Sequence, residues 1–211
     1  QTCALPIYKA VENDYINWEE VGDLDFENDN TAYMMECPNL VFIDETPILL
    51  YCPQGLSKKV APYDNIFPNM YKIGQSFDIA ETAIVDPSPP QNLDYGFDCY
   101  ATQAFNAPDG RVLAVSWLGL PDIAYPSDRF DHQGILSLVK ELTLKKGKLY
   151  QYPVQAITSL RTDNSQTFAN QAQTKNCYEL ELEFTIDSQA EIVLFADQEH
   201  KGLRICFDIK N

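Results

Sequence analysis

Histidine and basic charge are what this chain has least of. Its 211 residues hold two histidines, His132 and His200, and 15 lysines and arginines stand against 31 aspartates and glutamates, a formal net charge of -16. Such a surface repels both the nucleic-acid backbone and anionic lipid, so neither is an expected partner. Neither histidine belongs to a recognisable Cys–His or Ser–His motif, so an imidazole-activated nucleophile has no support. No apolar run approaches the ~18 residues of a membrane helix, and no secretory leader is legible after Gln1. The absence of G-x-x-x-x-G-K-[ST] and G-x-G-x-x-G loops removes the usual sign of a nucleotide cofactor. Metal-ligand spacings are missing too, so the expectation is no metal and no cofactor. The six cysteines (Cys3, Cys37, Cys52, Cys99, Cys177 and Cys206) contain no C-x-x-C pair, which excludes a zinc ribbon or a thioredoxin-type site. Most lie in apolar, strand-like runs and read as buried free thiols rather than disulfides, which favours a reducing cytoplasm.

What the chain does have is strand signal. Its 45% hydrophobic and 22% charged residues fit a globular protein. Leu40–Asp44 and Ile48–Cys52 flank a polar turn at Glu45–Pro47 and read as a hairpin. Ala101–Phe105 and Val112–Trp117, around Pro108-Asp109-Gly110, read as a second. Glu141–Leu144 and Lys148–Tyr152, around Lys145-Lys146-Gly147, read as a third. Tyr178–Phe184 alternates apolar and polar strictly, as a half-buried strand does, and Glu191–Phe195 and Gly202–Phe207 follow as strands. Asp86–Asp94 is a Pro-rich loop, because proline donates nothing to a ladder. One short helix is expected over Pro153–Arg161, with Pro153 in its first turn. The polar stretch Thr162–Lys175 reads as a linker, which places a boundary near residues 153–162. Hairpins at blade-like spacing suit an all-β chain, a propeller followed by a sandwich.

Chemistry concentrates at Glu36-Cys37-Pro38. Tyr33, Met34, Met35 and Cys37 surround Glu36 with apolar side chains. A carboxyl in such company is expected to have a raised pKa, as a general acid needs at neutral pH. The bland alternative for Glu36 is an exposed or capping residue at a strand end.

Several motifs fall in one order along the chain: Asn17-Trp18, Glu36-Cys37-Pro38, Pro53-Gln54-Gly55, Asp94-Tyr95-Gly96-Phe97-Asp98, Tyr100-Ala101, Gln103, Trp117-Leu118-Gly119-Leu120-Pro121, Glu141–Leu144 and Gly147–Gln151. That ordered set resembles the invertase-like glycoside hydrolases of family 32, and within them the bacterial branch that acts on sucrose 6-phosphate. The resemblance implies a five-bladed β-propeller followed by a β-sandwich, and retaining hydrolysis of a β-fructofuranosyl bond, giving glucose 6-phosphate and fructose. It implies Glu36 as acid/base, and Cys37, Asp98, Tyr100 and Trp117 as walls of the sugar site. Read from the residues alone, Asp98 is equally a strand-end Asp and Tyr100 a packing Tyr, and Trp117 fits a sugar platform and a blade core comparably.

The chain departs from the family pattern in places. The family's nucleophile and second aspartate sit in N-D-P-N and R-D-P motifs, and neither occurs here; the one Asp-Pro pair, Asp86-Pro87, fits neither. Around Asp131–Leu142 the family's Trp and its Pro-Arg-Glu are replaced by His132 and Val139-Lys140-Glu141, and Lys cannot form the bidentate bonds of Arg. Lys58, Lys59, Arg129 and Lys140 are candidate phosphate contacts or ordinary surface charges. Residues 1–7 resemble the in-frame translation of a sequencing adapter, or else a short native strand. The expectation is therefore a partial propeller over 8–153, then a linker helix and incomplete sandwich over 154–211, since ~100 residues make a full sandwich. Two other readings stay open. One is a non-catalytic carbohydrate-binding β-protein. The other is a β-fructosidase acting on free sucrose or fructan.

Overall fold

A computed structural model describes residues 6–11, 15–28, 31–162, 167, 172, 177–185 and 188–209. The chain divides into two units, 1–161 and 162–211.

In the first unit, β1 (Pro6–Ala10) and β2 (Trp18–Asp23) form an antiparallel pair, with Pro6 opposite Asp23 and Ile7 opposite Gly22. β3 (Met34–Ile43) and β4 (Thr46–Gln54) form the first expected hairpin. Its turn is Asp44-Glu45, both left-handed at φ 47° and 66°. That two-residue geometry matches the right-handed twist of the strands. The turn therefore comes earlier than the sequence suggests, and Thr46 and Pro47 join the strand. β3 also begins earlier than expected, so Glu36 lies inside a strand and not before one.

β5 (Met70–Ile73) pairs with β4. β6 (Ser76–Asp78) and β7 (Ala83–Val85) make an inserted hairpin, and β8 (Gln91–Asn92) closes the sheet on β5. The order is β3-β4-β5-β8, all antiparallel. β8 lies within the stretch expected to be wholly loop, just past its prolines.

The second sheet holds β9 (Cys99–Asn106), β10 (Val112–Leu118), β11 (Ile135–Leu136), β12 (Lys140–Lys145) and β13 (Lys148–Pro153). Both expected hairpins are present, and Lys146-Gly147 repeats the left-handed two-residue turn at φ 51° and 71°. A four-stranded antiparallel sheet is the unit of a β-propeller. Each of these two sheets has that meander, the second with β11 added at its edge.

β4 explains why an uninterrupted apolar run is needed. Pro47 through Pro53 are all buried, so both faces of the strand are covered and there is no wet face to alternate with. Period two then deals its side chains to different cores. Leu49 and Tyr51 join Leu24, Phe26, Met35, Leu56, Met70 and Ile84. Ile48 and Leu50 join Val41, Ile43, Tyr71 and Leu93, and reach Val112, Ala114 and Leu142 of the second sheet. Cys52 joins Phe67, Tyr100 and Leu120. A buried lysine fixes the approach to the first core: Lys72 Nζ donates to the carbonyls of Phe26 and Glu27 at 2.8 and 2.9 Å.

The expected helix over 153–161 is a 3-10 helix confined to Gln155–Leu160. Pro153 is spent as the last residue of β13, opposite Lys140, so it does not open the helix. In the second unit β14 (Ser188–Leu194) pairs with β15 (Leu203–Ile209). Tyr178–Phe184 forms no strand. Its two end rings instead pack on that hairpin, Tyr178 on Phe195 and Phe184 on Phe207, with centroids 6.0 and 4.8 Å apart. Among the described residues of this unit, the hairpin is the only paired sheet. Most of the stretch 162–175 lies outside the described residues.

Five described cysteines are free thiols, as expected, but their burial differs from expectation. Cys52 and Cys99 are buried and Cys37 is partly so, whereas Cys177 and Cys206 are exposed. Cys206 sits in a two-stranded sheet too thin to cover it.

Leu50 is fully enclosed in the core that joins the two sheets. Leu50→Ala is expected to cost about 2–5 kcal/mol, read as a lowered urea midpoint with an unchanged slope.

Candidate active site

Two β-bulges build the site. In β3 the register slips between Glu36 and Asn39, so Glu36 faces Cys52 while Asn39 faces Leu50. In β9 and β10 it slips so that Val115 faces Gln103 but Trp117 faces Tyr100. The extra residues in the two bulged strands take left-handed backbone, Cys37 at φ 49° and Ala101 at φ 49°. Such conformations cost about 1–3 kcal/mol each and need enforcing. Asn39 enforces them. Its Nδ2 donates to the carbonyls of Cys37 and Thr102 at 2.8 and 3.0 Å, and its Oδ1 accepts from the Ala104 N–H at 2.9 Å. One side chain thus ties both bulges together. Bulges re-aim side chains, and here they bring Glu36 and Tyr100 into one cleft.

That cleft encloses about 620 Å³ and is lined by Glu36, Cys37, Gln54, Tyr100, Trp117 and Asp122, with Met34, Met35, Ala101 and Pro121. Its centre is a closed hydrogen-bond triangle. Tyr100 donates its phenol to Glu36 Oε2 at 2.8 Å. Gln54 Nε2 donates to the same oxygen at 2.9 Å and to the Tyr100 hydroxyl at 3.2 Å. The Tyr33 hydroxyl donates to Gln54 Oε1 at 3.0 Å, while the amide nitrogen faces the Glu36 oxygen, which accepts. Burial pushes the Tyr100 phenol well above its ordinary range; the Gln54 hydrogen bond opposes it, and the neighbouring Glu36 carboxylate adds to the rise. It therefore stays a protonated donor at any working pH.

Of the residues expected at the site, the structure brings Glu36, Cys37, Tyr100 and Trp117 into one cavity wall. Asp98 does not line it. It lies in the turn just before β9, off the pleat that aims Tyr100. Its carbonyl accepts from the Gly119 N–H at 2.7 Å, and its carboxylate lies near the Tyr125 phenol, whose pKa burial and then this charge raise. Trp117 lines the cleft and also packs against the buried Cys52, Phe67, Tyr100 and Leu120. Gly119 and Gly134 press against its indole so closely that a Cβ on either would overlap the ring.

Gln54 and Asp122 were not foreseen as site residues. Gln54 stood in the Pro53-Gln54-Gly55 motif, so its signal was present. Asp122 follows Leu120-Pro121, and nothing local distinguishes it from a surface aspartate. The four basic candidates do not line the cavity. Lys58 lies over the Tyr63 ring and Arg129 over Phe130. Lys140 approaches Asp94 at 3.7 Å and donates to Ser116 Oγ at 3.4 Å. From there a buried polar chain runs through Thr102 Oγ1 (2.7 Å), Asn69 Nδ2 (2.7 Å) and Asn69 Oδ1 to the Cys52 thiol at 3.7 Å. Lysine thus holds, with single contacts, the place where the family pattern has arginine. Among the described residues no cluster of three or more His, Cys, Asp or Glu side chains is able to hold a metal ion.

Residues 1–153 match the glycosyl hydrolases family 32 N-terminal domain, and the chain belongs to that family. It is similar to the sucrose-6-phosphate hydrolase of Streptococcus mutans, 61% identical over 206 residues that cover 98% of this chain and 43% of the relative. The enzyme of that name from Lactococcus lactis is 43% identical over 211 residues, covering 98% of this chain and 45% of the relative. Among solved structures, sucrose-6-phosphate hydrolase from Lactobacillus gasseri aligns with a TM-score of 0.82 at 40% identity, covering 97% of this chain and 43% of that one. A Bombyx mori family 32 β-fructofuranosidase mutant in complex with sucrose aligns at 0.66 and 31% identity, covering 75% of this chain and 33% of that one. The chain thus spans under half the length of these relatives.

Gly134 has φ 69° and no room for a side chain against Trp117. Gly134→Ala is expected to displace the indole and to cost about 1–3 kcal/mol. Tryptophan fluorescence in a Trp18→Phe background isolates Trp117 and reads the displacement as a changed emission maximum.

Proposed function

We propose that this chain carries the acid/base half of a retaining β-fructofuranosidase that cleaves sucrose 6-phosphate to glucose 6-phosphate and fructose. The observation that supports it is the placement of Glu36 on the cavity wall, with Tyr100 and Gln54 both donating to Oε2. With Oε2 committed, the exchangeable proton belongs on Oε1, which is the oxygen that meets the substrate. Glu36 protonates the glycosidic oxygen as the bond breaks, then takes a proton from the water that releases fructose. A retaining mechanism needs a second carboxylate about 5–5.5 Å away as nucleophile. No motif in these residues matches the family's nucleophile, so in this reading another segment of the whole protein supplies it.

Trp117 and Cys37 form apolar wall, and the Asp122 carboxylate accepts from sugar hydroxyls. Asp98 acts at one remove, by bonding the backbone of Gly119 that packs under Trp117. No basic side chain lines this cavity, so the phosphate is read by groups elsewhere in the whole protein. Free sucrose is the runner-up substrate, supported by the sucrose-bound Bombyx mori likeness. Among the described residues no helix is long and apolar enough to cross a membrane. The reading places the protein in the cytoplasm, where a phosphorylated sugar and free thiols both belong.

The test is a chimera in which this chain replaces the matching 206 residues of the Streptococcus mutans relative. It is expected to hydrolyse sucrose 6-phosphate with a lower KM than free sucrose. Glu36→Gln in it is expected to lower kcat by about 10²–10⁴-fold, with the smallest loss on fructosides whose leaving group needs no proton. Near-normal turnover of the natural disaccharide by the variant would remove Glu36 from the mechanism.

A further inference from the structure

Glu36 is flanked by a thiol that the hydrolytic reading leaves without chemistry. Cys37 lies in the β3 bulge and lines the cleft. The residue opposite Glu36 across the ladder is Cys52, 1% exposed. The left-handed backbone of Cys37 turns its side chain onto the same buried cluster that holds Cys52. Cys37 packs against the cluster that holds Cys52, and each thiol moves the other's pKa. One sulfur is reachable from the cleft, and the other is shielded behind it.

We propose that Cys37 and Cys52 form a peroxide-oxidisable dithiol, a modification site next to the acid/base carboxyl. The Cys37 thiolate attacks one oxygen of hydrogen peroxide. An S–O bond forms, the O–O bond breaks, and the departing hydroxide takes up a proton as water. The Cys52 sulfur then attacks the Cys37 sulfenic acid. The S–S bond forms, the S–O bond breaks, and hydroxide leaves with the Cys52 proton as a second water. Two thiols lose two electrons and one peroxide is reduced to two waters.

The surroundings support this division of roles. Oxidation requires a thiolate that is exposed and acidified. The neighbouring Cys52 thiol lowers Cys37 to about 7, against the opposing effects of burial and of the Glu36 charge. Cys52 is pushed the other way, first by the Cys37 thiol and then by burial, so it keeps its proton until the sulfenic acid forms. Cys52 has one proton and two acceptors, since Asn69 Oδ1 lies 3.7 Å from its sulfur. A thiolate outcompetes an amide oxygen, so ionisation of Cys37 draws that proton toward itself. The other ionisable groups around the cleft are Glu36 on the same strand, Tyr100 on β9 and Asp122 at Pro121. None is a cation, so the neighbouring thiol is the acidifying group within the cleft.

A disulfide brings two sulfurs to about 2.05 Å, far closer than two thiols packed side by side. Closing that gap pulls the bulge toward β4 and takes Glu36 with it. The dithiol itself stands apart from the hydrolase reading; only its effect on turnover rests on it.

The experiment treats the folded full chain with hydrogen peroxide, blocks remaining thiols by alkylation, and maps peptides by mass spectrometry. The expected product is a Cys37–Cys52 linked peptide that dithiothreitol reverses. In Cys52→Ser the linkage vanishes and dimedone traps Cys37 as sulfenic acid. Iodoacetamide labelling of Cys37 should rise with pH around about 7 in the parent, and shift toward the ordinary thiol value of about 8.5 in Cys52→Ala, which removes the donor that serine would keep. Oxidation confined to the exposed Cys177 and Cys206, or a Cys37 that ends as sulfenic or sulfinic acid in the parent, would overturn the proposal. The parent's peptide map decides the matter even if the variant does not fold. In the chimera, peroxide should abolish turnover and dithiothreitol restore it. Should that chimera lack hydrolysis altogether, the linked peptide still reads the dithiol alone.

Discussion

β4 is covered on both faces, and that constraint organises the first unit. A strand with no solvent face must be apolar at every position and must be paired on both edges. Thr46–Gln54 meets both demands: Pro47 to Pro53 are buried, and β3 and β5 pair along its two sides. Because its side chains alternate, one strand feeds three packed clusters. The last of them lies under the cleft, and the strand's final residue, Gln54, emerges at the cleft wall as a donor to Glu36. The position of Gln54 at the cleft wall is thus inherited from a strand buried on both faces. A polar group at the end of such a strand loses little further entropy when it forms its hydrogen bonds, because the backbone that carries it is already held.

Hairpins were legible because they depend on local sequence. Val112–Trp117 and Lys148–Tyr152 announce themselves by β-rich runs between turn residues, and they pair as expected. Turn position was less legible. Asp44 and Glu45 are not glycines, and a left-handed pair there is stabilised by the register of the strands on either side rather than by its own residues. The helix expected at Pro153 shows a further limit, since a proline that suits a helix start suits a strand end equally well. Tyr178–Phe184 shows another. Alternation says which side chains face inward, but not whether a partner strand stands beside them, and here ring packing on the β14–β15 hairpin takes the place of a ladder.

The site was legible through motif order and not through physics alone. Nothing within Glu36-Cys37-Pro38 specifies a bulge, since the register slip exists only relative to β4. Tyr100 is 64 residues away in sequence yet 2.8 Å away in space, and a local pattern carries no such information. Asp98 was misplaced for the same reason. Its spacing of two from Tyr100 puts both on one face only if the strand already runs at Asp98, and the strand starts at Cys99.

Two left-handed residues, Cys37 and Ala101, stand where the two bulged strands reach the cleft. A straight strand in either place would be more stable locally, yet it would put Glu36 and Tyr100 on regular pleats of two separate sheets. The bulges trade that local stability for convergence, and Asn39 supplies the cross-strand bonds that make the trade hold. The same geometry has a chemical consequence. A left-handed Cys37 is turned toward Cys52, so the distortion that aims the carboxyl also sets two thiols in contact. Whatever shifts the one sulfur must act on the bulge, and through the bulge on the Glu36 carboxyl, because both groups hang from consecutive residues of the same strained segment.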